Sequence, residues 1–579
     1  MPASWPVIEL RHPPGRITPQ QGSVKEPAGQ WQSDVTLLHR LLLNRGLRPD
    51  DLDFSLAGLP SPVQLVTDQV TDVLMVHRQR KVVVIADYDA DGATACAVMV
   101  KGLRLLGFAD VDYLVPDRAA DGYGLTPALV LRAKALQASL IITVDNGITS
   151  FDGAQAARQL GVDLLITDHH LPAADLPVAT AIVNPRLVPD FAAKELAGVG
   201  VAFYVLIALR LALRQIADPF AEVNLAQLLD WVALGTVADV VVLDDTNRAL
   251  VEQGLRRIRS GQCSVGINAL IKMAGREQSR INSSDLGFFI GPRLNAAGRL
   301  ADMTLGIECL LATTDEQALT LAQALNEVNQ ERRFLEQTMQ QEAEQQLHQL
   351  RNKPLPPVLC LFSSHWHEGV VGLLASRIKE QCHRPAFVFA EGQAPGVLKG
   401  SGRSIAGIHL RDVLADVQAQ APGLMIKFGG HAMAAGLSLY RDKLEVFQLY
   451  LQQAIGRRIA PDTFQQKVLV DGELTAHELT LPNAELLSLQ IPWGQGFPAP
   501  LFHGRFVVTS SRVVGEKHLK LGLSALDDNS IVDAIHFNAD PALLQGLHQQ
   551  TVEAVYALES NFYRGVASPQ LRITHLRKL

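Results

Sequence analysis

What is scarce in this chain narrows its class. Cysteine is rare, 5 in 579 residues. Cys96, Cys263, Cys309, Cys360 and Cys382 lie far apart with no C-x-x-C spacing, so neither a disulfide framework nor a thiolate zinc site is expected. Charged residues make up only 19% against 47% hydrophobic, which excludes wholesale disorder and permits a large core. Positive charge is not in excess: 52 Lys and Arg against 59 Asp and Glu leave a net −7, so any polyanion would need a local basic channel. No apolar run reaches the roughly 20 residues that span a bilayer; the longest, Val199 to Leu209, stops at Arg210. Met1 to Arg16 lacks the apolar core of a secretory signal. No membrane association and a cytoplasmic location are therefore expected. Internal repeats and low-complexity tracts are also absent.

What is present has a clear order. Residues 1–75, rich in Pro, Gln and Leu, read as an N-terminal helical arm. From Lys81, short apolar runs such as Val82–Ala86, Leu140–Val144 and Leu164–Thr167 alternate with helical stretches. That rhythm predicts an α/β domain with a parallel sheet over 76–312, and ligands of such sheets gather at the carboxyl ends of the strands. Residues 313–353 read as a connecting helix, single or broken, opened by a Thr313/Glu316 capping box and stopped by Pro354, Pro356 and Pro357. A smaller α/β domain over 354–460 and a β-barrel over 461–579 complete the prediction.

Four acidic strings fall in the first α/β domain. Asp87, Asp89 and Asp91 follow the first strand; three carboxylates this close need a cation or partial protonation. An EF-hand is excluded, because the twelfth loop position is Val98 rather than Glu. Asp145 follows the next strand, Asp168-His169-His170 the one after, and Asp239 the apolar run Trp231–Val237. Placed at neighbouring strand ends, these side chains converge. Carboxylates with one or two imidazoles suit Mn²⁺ or Mg²⁺, and a two-ion centre hydrolyses phosphoesters without a Ser or Cys nucleophile. In the second domain, glycine-rich strings at His365–Gly372, Lys399–Ser404 and Lys427–Gly436 suit phosphate binding, with Arg403 as a bidentate anchor. Phe506, Arg512, Lys517, His518, Lys520, Phe537, Phe562, Tyr563 and Arg564 give the last domain the composition of a single-strand stacking platform. Its removal is expected to weaken strand binding while sparing the metal cluster.

The four acidic strings resemble the four motifs of the DHH phosphoesterase superfamily. The strings Tyr113–Arg118, Asp121–Leu125, Leu196–Phe203 and Gly291–Arg299 are similar to its single-strand-specific 5′→3′ DNA exonuclease branch, from about residue 35 onward. The resemblance implies that Asp89 and Asp145 hold one Mn²⁺ or Mg²⁺ ion, with Asp87 beside them. Asp91, Asp145, His169 and Asp239 then hold a second, Asp145 bridging. Ile85 stands where other branches carry a histidine, so the first ion's ligand set is the less defined. His170 would orient the site or contact the scissile phosphate. The second domain resembles the DHH-associated domain with its Gly-Gly-His string. There Ser401 and Arg403, with Arg118, would grip a 5′-terminal phosphate, His431 would join the phosphate site, and Arg293 and Arg299 would meet the scissile or neighbouring phosphates. The last domain would be an OB-fold. The implied activity releases 5′-mononucleotides from single-stranded DNA in repair and recombination, alongside a helicase and a single-strand-binding protein. The alternatives are a small-nucleotide phosphatase or pyrophosphatase of the same superfamily, and a non-catalytic DNA-binding scaffold.

Overall fold

The computed structural model describes residues 5–11, 36–48, 51–117, 122–348, 355–460, 462–515, 517–526, 530–543 and 546–579. The chain divides into two compact units, Met1–Glu9 with Val328–Val468, and Leu10–Glu327 with Leu469–Leu579. It opens with a strand, β1 (Val7–Leu10), where composition predicts a helical arm; the helix Leu37–Asn44 follows later.

Apolar residues on both faces of a strand call for a sheet covered by helices on both sides. Five strands meet that demand: β2 (Lys81–Ala86), β3 (Asp110–Leu114), β4 (Leu140–Val144), β5 (Asp163–Thr167) and β6 (Ala181–Val183), in the order β3-β2-β4-β5-β6. All pairings are parallel, as predicted. The chain leaves β2 toward β3 and returns on its other side as β4. This reversal creates a switch point at the carboxyl ends of β2 and β4, the place where open α/β sheets bind ligands.

Two apolar runs differ from the sequence reading. Val199–Leu209 belongs to an 18-residue helix, Gly198–Gln215, long and apolar enough to cross a membrane. It is 67% buried inside the domain, as a helix that is hydrophobic all round should be. Trp231–Val237 is no strand either: it lies in the buried helix Leu229–Ala238. A short run without period cannot distinguish the two.

The connection at 313–353 is one helix, Asp315–His348, of 34 residues, about 50 Å long at 1.5 Å per residue. Its cap is one residue later than predicted, since Thr314 Oγ1 accepts from the Gln317 N–H at 3.3 Å. The unit that follows carries β7 (Leu359–Phe362), β8 (Ala386–Glu391), β9 (Val397–Arg403), β10 (Lys427–Gly430) and β11 (Ala434–Tyr440), ordered β10-β11-β9-β8-β7. Only β7 and β8 pair in parallel. The strand β12 (Lys467–Val470) pairs with β1.

The C-terminal strands β13 (Phe502–Val514), β14 (His518–Ala525), β15 (Ile531–His536), β16 (Thr551–Tyr563) and β17 (Val566–Lys578) close a barrel in the order β13-β14-β15-β17-β16, the five-stranded arrangement of an OB-fold. Phe506 faces its core at 2% exposure, its ring 5.5 Å from Tyr556, so it is not available for stacking. Phe537, Phe562 and Tyr563 are exposed, and His518 packs edge-on against Phe537.

The stretch before the barrel is not a free linker. Gly494 and Gly496 lie against Leu243 and Val242 of the first α/β domain, and the Leu243 N–H donates to the Gln495 carbonyl at 2.8 Å. Deleting everything after residue 460 would strip these contacts from the domain that holds the acidic strings, so the deletion would not spare it.

Candidate active site

The strand β2 delivers Asp87 and, at the N-terminus of the helix Ala90–Leu105, Asp89 and Asp91. Asp89 caps that helix, accepting from the Gly92 N–H at 3.0 Å. Asp91 serves a second helix: its two carboxylate oxygens accept from the Gly198 and Val199 N–H groups at 2.7 and 3.0 Å. These bonds fix its orientation and favour its charge. Asp145 follows β4 in the left-handed conformation, φ 62°, which Asp tolerates better than most residues. His169 and His170 follow β5. Asp239 arrives from the C-terminus of the helix Leu229–Ala238, not from a strand as the sequence suggested.

Three sets of ligand atoms cluster among the described residues: Asp87, Asp89 and Asp145; Asp91, His169 and Asp239; Asp145, His169 and His170. Within each, all donor atoms lie within 4.8 Å of one another. His169 Nε2 is 3.1 Å from Asp145 Oδ1 and 3.5 Å from Asp239 Oδ2. Yet both His169 Nε2 and Asp145 Oδ1 are buried and make no hydrogen bond. Two orphaned lone-pair atoms facing each other in a pocket of carboxylates could serve a shared cation.

The electrostatics agree. Burial and then the charge on Asp89 hold Asp87 well above the usual carboxylate range. The same causes push Asp91 up to about 7, against the two backbone N–H groups it accepts from. Asp145 and Asp239 are raised by burial and then by Asp91 and the other carboxylates. Without a cation these acids cannot all be charged. Burial, then His170, drives His169 down to about 3, leaving the neutral imidazole that ligation requires. Oxygen-rich donors with one imidazole fit Mn²⁺ or Mg²⁺.

Asp168, which sequence reasoning left without a role, organises the histidines. Buried, it accepts from the Ile148, His169 and His170 N–H groups and pairs with His170 Nδ1 at 2.7 Å. Burial opposes its charge, but His170 and these N–H groups hold its carboxyl below the usual range. In return, and against burial, Asp168 raises His170, directing its Nε2 edge toward Tyr123, whose hydroxyl is 3.5 Å away. Close approaches by glycine were missed as well. A Cβ on Gly198 would sit 2.5 Å from the Asp145 Cβ, and one on Gly298 1.7 Å from the Tyr88 carbonyl oxygen. Asn295 Oδ1 accepts from the Ala90 N–H at 2.9 Å. The strings around Gly198 and Asn295 stood out in the sequence, but only the packing shows that they brace the acidic loops.

The expected phosphate contacts divide. In the unit that carries β7 to β11, Arg403 Nη1 donates to Ser401 Oγ at 3.0 Å. Gly372, in the first turn of the helix Val371–Cys382, is so close that a Cβ there would lie 3.0 Å from Arg403 Nη2 and 3.1 Å from Ser401 Oγ. A guanidinium, a hydroxyl and a helix N-terminus thus meet at one point. His431 is exposed on the β10–β11 turn, where Gly430 at φ 140° packs against the Ala434 backbone, and β11 pairs Ala434 with Arg403 of β9. Arg293 is placed otherwise. It is buried, and its guanidinium donates to the Phe289 and Met273 carbonyls and to Asn326 Oδ1, bonds that anchor it within the domain. Arg299 is half-buried in the last turn of the helix Gly291–Leu300. Arg118 lies outside the described residues.

Three family models match the chain: DHH family, N-terminal domain, over residues 81–236; DHHA1 domain over 356–457; and RecJ OB domain over 470–575. A single-stranded-DNA-specific exonuclease RecJ from Dickeya dadantii (strain 3937) is 48% identical over 553 residues, covering 93% of this chain and 96% of that protein. Two crystal structures of RecJ from Thermus thermophilus match 94% of this chain. The Mn²⁺ complex has a TM-score of 0.75 at 30% identity over 75% of its own length, and the Mg²⁺ complex 0.70 at 29% over 74%.

Proposed function

We propose roles for the clustered residues on this premise: the chain belongs to the RecJ family of single-stranded-DNA-specific exonucleases. It is a metal-dependent exonuclease of the DHH type, with Mn²⁺ or Mg²⁺ as cofactor. The observation that carries the residue assignment is the facing pair of orphaned atoms, Asp145 Oδ1 and His169 Nε2, inside a pocket of buried carboxylates. Asp87, Asp89 and Asp145 hold one ion. Asp91, His169, Asp239 and Asp145 hold the other, with Asp145 shared. When bound, the ions supply a water acidic enough to attack phosphorus near neutral pH and neutralise the developing charge.

The chain's own residues do the rest. Backbone N–H groups of the helix Gly198–Gln215 oppose protonation of the Asp91 carboxylate and aim it. Asp168 holds His170 with Nδ1 engaged, so its free edge presents positive charge to the scissile phosphate. Asp168→Asn keeps the shape but removes the charge that sustains this. It is expected to lower kcat roughly 10–100-fold, the usual cost of losing such a supporting partner, with little change in KM; steady-state kinetics on labelled single strands measures both.

Ser401, Arg403 and the first turn of the helix Val371–Cys382 form the site for a terminal phosphate, with His431 beside it. Polarity follows: a pocket for the 5′-phosphate starts digestion at that end. Arg403→Ala should raise KM for 5′-phosphorylated strands about tenfold or more, the effect of losing a charge-assisted bond of roughly 1.5–3 kcal/mol. KM for 5′-hydroxyl strands should stay unchanged. Equal effects on both would refute the assignment. Arg118 remains a proposed partner of Ser401 and Arg403 at the 5′-phosphate, and Arg299 a proposed contact to the scissile or a neighbouring phosphate. On the barrel, Phe537, Phe562, Tyr563, Arg512, Lys517 and Arg564 are exposed and available for stacking and charge. An enzyme confined to single strands depends on a helicase to open duplex and meets single-strand-binding protein on its substrate, which makes these its proposed partners in the cytoplasm. A small-nucleotide phosphatase would have no use for the barrel.

A further inference from the structure

Asp239 reaches the metal cluster through an unfavourable turn. The next residue, Val240, has φ 62°, a left-handed conformation unfavourable for a β-branched residue. Its side chain is 62% exposed, so little burial offsets that cost, and the turn must be imposed from its two ends. One end is the helix Leu229–Ala238. The other is Val242–Leu243, and that end is held by a loop from far along the chain. The Leu243 N–H donates to the Gln495 carbonyl at 2.8 Å. Cβ atoms on Gly494 and Gly496 would lie 2.5 and 2.7 Å from Leu243 Cδ1 and Val242 Cγ1, so backbone presses directly on these side chains.

The loop is itself rigidly fixed. Trp493 and Phe497 stack at 4.9 Å and 21°. The Arg45 guanidinium lies over both rings and binds both oxygens of buried Asp471, while Arg248 covers Phe497. Trp493 Nε1 donates to the Leu487 carbonyl, and the Trp493 carbonyl accepts from Ser283 Oγ. Ser283 leads into a π-helical turn, Leu286–Ile290, a rare geometry often found at functional sites. Gly287 within that turn and Gly291 just after it lie close to Val237 and Ala238, just before Asp239.

We propose that the Trp493–Phe497 loop is a positioning element of the metal centre, setting the Val240 turn that aims the Asp239 carboxylate. The proposal rests on Asp239 being a ligand. The stretch leading into the barrel then acts on catalysis by way of Asp239, separately from any contact with DNA.

Calorimetric titration of the metal-free full chain with Mn²⁺ tests it. Gly496 is exposed at φ 73°, so Gly496→Ala strains the loop backbone and pushes on Val242 without opening the core. One of two ions is expected to bind about tenfold more weakly, as on losing a supporting partner, the other unchanged. Phe497→Leu, which loosens the loop without adding an atom, should weaken the same ion. Val242→Ala added to Gly496→Ala should restore part of it, because room returns where the clash was while the strained backbone at Gly496, φ 73°, remains. Asp239→Asn should lose that ion outright. Normal binding of both ions by Gly496→Ala and Phe497→Leu, beside a defective Asp239→Asn, overturns the positioning role alone. Two intact ions in Asp239→Asn overturn the ligand assignment, and the proposal with it.

Discussion

Asp145→Asn is expected to reduce exonuclease turnover at least about a thousandfold in Mn²⁺ or Mg²⁺ while leaving the fold intact. The substitution is chosen for shape. Asn accepts the left-handed conformation that Asp145 adopts at φ 62°, and its size suits the contact with Gly198, where no Cβ would fit. What is lost is the charge at the middle of the cluster. Asp145 belongs both to the set with Asp87 and Asp89 and to the set with His169 and His170, so both ions lose a ligand. Each ion contributes several kcal/mol of transition-state stabilisation, and about 1.36 kcal/mol is a factor of ten in rate. Digestion of 5′- and 3′-labelled single strands reads the effect, with circular dichroism as the check on folding. Full activity in a folded variant would overturn the site.

The order of elements was readable because parallel strands buried on both faces are short, apolar and separated by helices. The acidic strings were readable because carboxylates beside one another at strand ends have little structural use. Asp239 shows where that reading stops. Trp231–Val237 is apolar throughout, which describes a buried helix as well as a buried strand, and only the packing of the helix Leu229–Ala238 decides. Arg293 shows the limit for cations. In a string beside the site an arginine looks like a phosphate ligand, and its bonds to the carbonyls of Phe289 and Met273 are ones that no local pattern reveals. Asp168 was visible yet unassigned, because a carboxylate that orients a histidine and one that binds metal look alike in a sequence. Phe506 lies inside β13 and faces the barrel core, whereas Phe537 sits just past the end of β15 and is exposed, a difference that an aromatic in an apolar run does not announce.

Removing the metal should invert the usual dependence of stability on pH. The raised carboxyls bind protons in the folded state at pH values where the unfolded chain has already released them. Stability from these groups is fully present below about pH 4, the unfolded value, and is lost as pH rises through the folded values. For Asp91, lifted by burial and by Asp89 to about 7, the full difference is on the order of 4 kcal/mol. Asp87, Asp145 and Asp239 shift in the same direction. Chelated protein should therefore melt at a lower temperature at pH 8 than at pH 6. A loss of about 2 kcal/mol corresponds to roughly 4–8 °C in a domain of this size. Mn²⁺ requires the deprotonated ligands, so its stabilisation should grow over the same interval and cancel or reverse the slope. Asp145→Asn, with one fewer charge to repel its neighbours, should flatten the chelated profile. Calorimetric melting at pH 6, 7 and 8, with chelator and with Mn²⁺, decides the matter: a melting temperature that ignores both pH and metal would mean that these carboxylates do not share one enclosed site.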